Sequence, residues 1–81
     1  MNQHFASLVI GLAHQAEQAI AGNLPPGAPG NPEPREVARA LIDTLGMLET
    51  KTRGQLESDE QRLLTEALTG LRFRFVSTEK K

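Results

Sequence analysis

The chain has 81 residues, of which 38% are hydrophobic and 23% are charged, and it contains no Cys, Trp or Tyr. Without cysteine, these residues cannot form a disulfide framework, a thiolate nucleophile or a Cys-ligated zinc or iron–sulfur site. Nine Lys and Arg residues against ten Asp and Glu residues give a net charge of −1, so no global field attracts the chain to nucleic acid or anionic lipid. This composition is typical of one small globular domain.

The small size of the chain limits the core that it can form. Below about 80 residues a single hydrophobic core rarely contributes more than about 3–5 kcal/mol of net stability. We therefore expect the protein to assemble as a homo-oligomer.

The N-terminal segment resembles a secretion leader only superficially. Residues 5–13 are apolar-rich, and residues 19–21 have the Ala-x-Ala spacing of a cleavage site, but residues 1–4 contain no Lys or Arg. No apolar run is long enough to span a bilayer. We therefore predict a mature chain that starts at Met1, stays in the cytoplasm and does not enter a membrane.

The first predicted helix covers residues 3–21. Its apolar side chains recur with the i, i+3, i+4, i+7 spacing of an amphipathic helix, and they cover an arc of about 200°, wider than one neighbour requires. Residues 22–33 follow with four of the five prolines and three glycines, and the fifth proline is Pro34. This composition opposes regular hydrogen-bonded structure, so we predict a linker.

Two further helices are predicted at residues 34–53 and 58–76. Pro34 suits a first helical turn, and Gly54 suits the position just past a helix end. Ser58 and Gln61 have the spacing of a capping box that would start the third helix. The short connection predicts that these two helices form an antiparallel hairpin. Residues 77–81 are predicted to be a frayed polar tail.

The segment from Leu71 to Val76 allows two interpretations. Helical spacing continues through it to Phe75, but the segment also alternates with period two, and Gly70 is compatible with a helix end. Helix is favoured, and a short strand is the alternative.

The predicted fold is therefore all-α, with the first helix packed across the hairpin. Gly46 and Gly70, inside helices, each cost about 1 kcal/mol relative to Ala, so we predict that another helix approaches closely at both. The predicted core consists of Leu8, Leu12, Ile42, Leu45, Leu64, Leu68 and Leu71. Apolar residues on the flanks form the candidate oligomer interface: Ile10, Met47, Phe73 and Val76.

A catalytic or metal site finds little support in the sequence. His14 and Glu17 are spaced i, i+3 and provide two ligands on one helix face, but a di-metal bundle requires such pairs on two helices and further carboxylates. A solvated helix face is the ordinary interpretation. We therefore assign no catalytic, cofactor-binding or metal residue and expect no cofactor and no enzymatic activity.

Nucleic-acid binding is the alternative from a different functional class. The near-neutral net charge and the 4% aromatic content argue against it, because they leave few charges and few stacking platforms. The cations that such a nucleic-acid or ribosome-associated factor would use are Arg35, Arg39, Lys51, Arg53, Arg72 and Arg74.

Three blocks of the sequence occur in a familiar order: Phe5–Leu12, Ile42–Leu56 and Leu71–Val76. They resemble the bacterial family catalogued as domain of unknown function 1844. Its members combine an F-x-x-[LF]-[VI]-x-x-L opening, an I-D-x-L-x-M-L-x-x-K-T-x-G-x-L centre and an L-R-x-R-[YF]-V end. The Gly- and Pro-rich linker and the missing charged N-terminal extension depart from that pattern outside the motifs. The resemblance implies an all-helical fold and supplies no catalytic residue.

Taken together, these patterns predict a non-enzymatic cytoplasmic protein that acts as a self-associating helical interaction module. An additional, unidentified protein partner is compatible with the broad apolar faces of the three helices.

Overall fold

The structure is a computed structural model that describes residues 1–23 and 33–79. Within these residues the chain forms three α-helices and no strand: α1 (Gln3–Ile20), α2 (Pro34–Lys51) and α3 (Ser58–Glu79). The predicted all-α fold is confirmed. The strand interpretation of Leu71–Val76 is wrong, because this segment lies inside α3. Most of the predicted linker, residues 24–32, and residues 80–81 of the predicted tail lie outside the described residues.

Both ends of α1 are capped by local hydrogen bonds. At the start, the Asn2 side-chain oxygen accepts a hydrogen bond from the Phe5 backbone N–H at 3.0 Å. At the end, Gly22 adopts a φ of 85°. Its N–H bonds to the Ala19 carbonyl at 3.0 Å, and the Asn23 N–H bonds to the Gln18 carbonyl at 2.8 Å. This is a Schellman motif, which stops the helix at the glycine.

The turn after α2 depends on a second glycine. α2 begins at Pro34, as predicted, and ends at Lys51 with Thr52 as its C-terminal cap, two residues before the predicted end. Gly54 has a φ of 81°, in the left-handed region that favours glycine. The chain therefore reverses over a few residues, and α2 and α3 form the predicted antiparallel hairpin.

α3 begins at Ser58, but with a different cap from the predicted one. The Glu60 carboxylate accepts a hydrogen bond from the Glu57 backbone N–H at 2.9 Å, whereas the Gln61 side chain donates to the Thr65 hydroxyl at 3.1 Å. The predicted Ser58–Gln61 capping box is therefore wrong. The cap lies one residue earlier than predicted. Glu57 occupies the capping position, and Glu60, the third helical residue after it, accepts its backbone N–H. α3 also continues to Glu79, so residues 77–79 are helical rather than a frayed tail.

Glu60 also joins the start of α1 to the start of α3. Its second carboxylate oxygen accepts a hydrogen bond from the Asn2 backbone N–H at 2.8 Å, and the residue is only 6% exposed. The hydrogen bonds from Asn2 and then Glu57 lower the pKa of Glu60 below its ordinary value. The Met1 ammonium lies 3.2 Å from the Glu57 carboxylate and 3.7 Å from that of Asp59.

These contacts set the directions of the helices. α1 runs parallel to α3, since their starts meet at Glu60 and Glu17 lies 3.6 Å from Arg74 further along both helices. α2 runs antiparallel to α3, with Arg35 bonded to Thr78 and Glu49 bonded to Thr65. The described chain is therefore an up-down-up three-helix bundle in which each helix contacts the other two. Among its helices, none combines the length and hydropathy needed to cross a bilayer.

The core lies between the three helices and combines large and small side chains. Five predicted core residues are buried, namely Ile42, Leu45, Leu64, Leu68 and Leu71, and Leu12 packs against them while partly exposed. The prediction for Leu8 is wrong, because its side chain is 48% exposed. The buried side of α1 is centred on Val9 and Ala16, and Leu8 lies about 100° around the helix from Val9, at the rim of that contact.

The contrast between Leu68 and Leu8 gives a direct test of this core. We expect Leu68→Ala to lower the free energy of unfolding by about 2–5 kcal/mol, because it leaves a cavity between packed helices. Leu8→Ala should cost less than about 1 kcal/mol, because about half of that side chain is already in water. Urea unfolding at one fixed protein concentration measures both. Equal costs for the two substitutions would contradict the described core.

The hydrogen bonds of Glu60 predict how stability depends on pH. Because folding lowers its pKa below 4.5, the carboxylate stabilises the fold above about pH 4.5, and that contribution is lost as pH falls through the lower folded-state value. The pKa of the Met1 amino group is raised above 8.0, first by its hydrogen bond to Glu57 and then by Asp59. Its contribution is therefore complete below pH 8 and is lost as pH rises through the raised value.

We expect Glu60→Gln to lower stability at pH 7 and to flatten the fall in stability between about pH 5 and pH 3. Urea unfolding at several pH values measures the profile. Asp43→Asn, which changes an exposed carboxylate on α2, is the matched control and should keep the acidic fall of the unsubstituted chain. If Glu60→Gln loses stability at acidic pH as the unsubstituted chain does, Glu60 is not the cause of that loss.

Candidate interaction surface

The four residues predicted to form an oligomer interface all have exposed side chains. The exposed fraction is 57% for Ile10, 47% for Met47, 73% for Phe73 and 48% for Val76. Each lies inside a regular helix, so its exposure is fixed by the helix face on which it lies. Leu8, which sequence reasoning placed in the core, adds a further exposed apolar side chain on α1.

Two of these residues border one groove, which we call the α1–α3 groove. Its first part has a volume of about 380 Å³, with Ile10, Leu63 and Ala67 among its lining residues. Its second part, of about 360 Å³, is bordered by Ile20 and Phe73. Glu17 lines both parts, so the two depressions adjoin along the two parallel helices. The fold thus places Ile10 and Phe73, which are 63 positions apart in the sequence, on the same side of the bundle.

The other two candidates lie elsewhere. Val76 borders a smaller cleft of about 190 Å³ between α2 and α3. Ile42 and Phe75 line the same cleft, together with three charged residues: Arg39, Asp43 and Arg72. Met47 lies on α2 and lines neither this cleft nor the α1–α3 groove. The α1–α3 groove is therefore the site where predicted interface residues from two helices meet.

The polar side chains of the α1–α3 groove have opposite charges at its two ends. Glu66 and His14 border the first part, and Arg74 borders the second part. Glu17 lies between them, with a carboxylate oxygen 3.6 Å from the Arg74 guanidinium. Side chains in this ion pair are 48% and 59% exposed, so water screens the attraction and it contributes little to stability.

His14 and Glu17, which were considered as a metal-binding pair and not assigned as ligands, lie along this groove. In the part of the chain that the structure describes, no group of three or more His, Asp or Glu side chains is placed to hold a metal ion. Among the described residues, the fold therefore brings no third ligand to this pair.

Gly46 and Gly70, two of the three glycines inside the described helices, have different surroundings. A β-carbon at Gly46 would lie 3.3 Å from a guanidinium nitrogen of Arg72, so the end of a flexible side chain, and not the α3 backbone, comes close to this glycine. At Gly70 a β-carbon would meet no atom within 4 Å. The prediction of a close helix approach is therefore wrong for Gly70 within this chain, since the residue lies on the exposed side of α3.

The six cations considered for nucleic-acid binding do not form one surface. Arg35 contacts the end of α3, Arg72 packs against Gly46, and Arg74 pairs with Glu17. Lys51 and Arg53 lie at the turn end of the hairpin, away from the start of α2. The fold thus places Arg39 and Arg72 beside one cleft and distributes the other four cations elsewhere on the described bundle.

Arg35 has a structural role that the sequence did not reveal. Its guanidinium lies 4.0 Å from the centre of the Phe75 ring, donates to the Thr78 hydroxyl at 3.0 Å and reaches the Phe75 carbonyl at 3.4 Å. Forty positions separate Arg35 from Phe75, so no local pattern indicates this contact. Glu60 was missed as well, although its position three residues after Glu57 is a recognisable capping signal.

We expect Arg35→Ala to lower the free energy of unfolding by about 1–2 kcal/mol, because it removes both the cation–π contact and hydrogen bonds to the end of α3. Arg39→Ala is the control, since Arg39 is an exposed arginine one turn later on the same helix and its loss should cost about 0.5 kcal/mol or less. Urea unfolding measures both variants. If they are equally stable, Arg35 does not fasten α2 to α3.

One protein family matches this chain over most of its length. It is described as a domain of unknown function (DUF1844), and the match covers residues 2–77. These residues include α1, α2, nearly all of α3 and the four candidate interface residues. Comparisons with curated proteins and with solved structures found no match. The resemblance noted in the sequence is thereby confirmed, and the chain belongs to the DUF1844 family.

Proposed function

We propose that this protein is a small, non-enzymatic interaction module of the cytoplasm that self-associates through its exposed hydrophobic side chains. The observation that carries the proposal is the α1–α3 groove, where Ile10, 57% exposed, and Phe73, 73% exposed, border two adjoining depressions. Single exposed apolar residues are common on protein surfaces, whereas apolar residues grouped along a groove are typical of interaction sites.

The energetics of such a small chain favour the proposal. Burial of apolar surface contributes about 25 cal/mol per Å², so covering one large exposed side chain contributes about 1.5–3 kcal/mol. A single core in a chain of this length contributes only a few kcal/mol in total. Covering Ile10 and Phe73 in an interface would therefore add substantially to the stability of the folded state.

The nucleic-acid alternative has weaker support. Three of its six cations lie on or against α3, namely Arg35, Arg72 and Arg74. The remaining three belong to α2 and the turn that follows it, and the net charge is −1. An interaction surface made of apolar side chains agrees better with these positions.

Light scattering over a range of protein concentrations tests the proposal. We expect a dimer or larger assembly that persists in high salt, because salt screens charges and does not weaken apolar contacts. Phe73→Glu and Ile10→Glu should each shift the assembly towards monomer, because both side chains border the groove. The loss of about 2 kcal/mol of apolar contact at Phe73 corresponds to an increase in Kd of about 30-fold.

Gln15→Glu is the control, because it places the same charge at an exposed position of α1 outside the groove. Circular dichroism checks that each variant remains helical. A wild-type chain that is monomeric at every concentration would contradict self-association. An assembly that is insensitive to Phe73→Glu would instead show that the interface lies elsewhere.

A further inference from the structure

The side of α3 that borders the α1–α3 groove carries three exposed residues spaced four apart: Glu66, Gly70 and Arg74. Residues with this spacing form one of the ridges through which helices pack against each other. The row is negative at one end, positive at the other and lacks a side chain in the middle. It is therefore complementary in charge to a second copy of itself that runs in the opposite direction.

Gly70 is the residue of this row that the single chain does not explain. Glycine weakens a helix interior more than any residue except proline, and Gly70 lies in the middle of a 22-residue helix. A β-carbon there would meet no atom of the chain within 4 Å, so internal packing does not require glycine. A missing side chain on an exposed helix face allows another helix backbone to come close.

We propose that two copies of this chain pack through antiparallel α3 helices that cross at Gly70. This inference rests on the proposed self-association and specifies its geometry. In a two-fold symmetric contact, the same residues of both copies meet. With the axis at Gly70, Glu66 of each copy faces Arg74 of the other, which gives two equivalent ion pairs on either side of the glycines.

The same symmetry covers the exposed aromatic side chain. At 100° per residue, Ala67 and Phe73 lie about 60° to opposite sides of Gly70. The two-fold axis keeps each side of the helix on the same side of the contact, so Phe73 of one copy lies beside Phe73 of the other. The contact thus covers the most exposed large hydrophobic side chain of each copy.

The contact between Glu17 and Arg74 within one chain is compatible with this pairing. Both side chains are about half exposed, and the pair is separated by 3.6 Å, so the guanidinium is free to reorient at little cost. A guanidinium has five N–H donors in a planar fork. Arg74 can therefore bind its own Glu17 and Glu66 of the second copy at the same time.

The area needed is available on this face. A stable interface buries about 800 Å² on each partner. This is about one seventh of the 5730 Å² that the chain exposes. The exposed side of α3 together with the groove extends along a 22-residue helix, about 33 Å long, which is sufficient for such a contact.

Charge reversal gives the test. In Glu66→Arg both ends of the row are positive, and in Arg74→Glu both ends are negative, so each variant alone places like charges opposite each other twice. We expect each substitution to raise the dimer Kd at least tenfold, as measured by analytical ultracentrifugation. An equimolar mixture of the two variants should form heterodimers with a Kd within about threefold of the wild type, because every facing pair is then opposite in charge.

Arg53→Glu reverses a charge at the distant turn and is the matched control, with an expected Kd within twofold of the wild type. Gly70→Leu is a second variant that does not depend on charge. It should increase the helix content of the chain, because leucine favours helix over glycine, and should still raise the dimer Kd at least tenfold by filling the crossing point.

The outcomes separate the two proposals. A monomeric wild type overturns both self-association and this geometry. A wild-type dimer that neither Glu66→Arg nor Gly70→Leu weakens leaves self-association standing and overturns the α3 interface. Weakening by both charge reversals without recovery in the mixture also overturns it, because the two charges then do not face each other.

Discussion

The carboxylate of Glu60 sets how α1 and α3 lie against each other. One oxygen accepts the backbone N–H of Asn2 at the start of α1, and the other accepts that of Glu57 at the start of α3. A buried carboxylate is costly unless hydrogen bonds compensate for lost water, so its two donors must both be present. The starts of α1 and α3 are therefore held side by side. The parallel pairing that results creates the α1–α3 groove and places Glu17 next to Arg74.

The composition of the core explains why large apolar side chains remain outside. Ala16, Ala19 and Ala38 are almost completely buried, so small residues occupy positions between the helices. These close contacts cover a narrower part of each helix than its apolar arc. On α1 the contact includes Val9 but leaves Leu8 and Ile10, the residues on either side of it, about half exposed. A chain with a larger core would have space to bury such side chains internally, whereas this one leaves them exposed.

Arginine has three different uses in the fold. Arg35 fastens α2 to the end of α3 through a ring contact and hydrogen bonds, and Arg72 lies beside Gly46, where a larger residue would be crowded. Arg74 remains at the surface, in an exposed ion pair with Glu17 that is easily shared. A cation that is committed to internal contacts has little to offer a nucleic acid. The availability of a charge, and not its presence, decides which surface can recognise a partner.

The sequence by itself determined the helices, because apolar periodicity, Pro34 and Gly54 act over a few residues and need no distant partner. It also identified five of the buried residues and the exposed side chains Ile10 and Phe73. It did not determine that Leu8 is exposed, because the width of an apolar stripe does not reveal how much of that stripe the neighbouring helices cover. The contacts of Glu60 with Asn2 and of Arg35 with Phe75 join residues 58 and 40 positions apart. Only the tertiary structure decided them, because the pairing of distant residues depends on how whole helices pack.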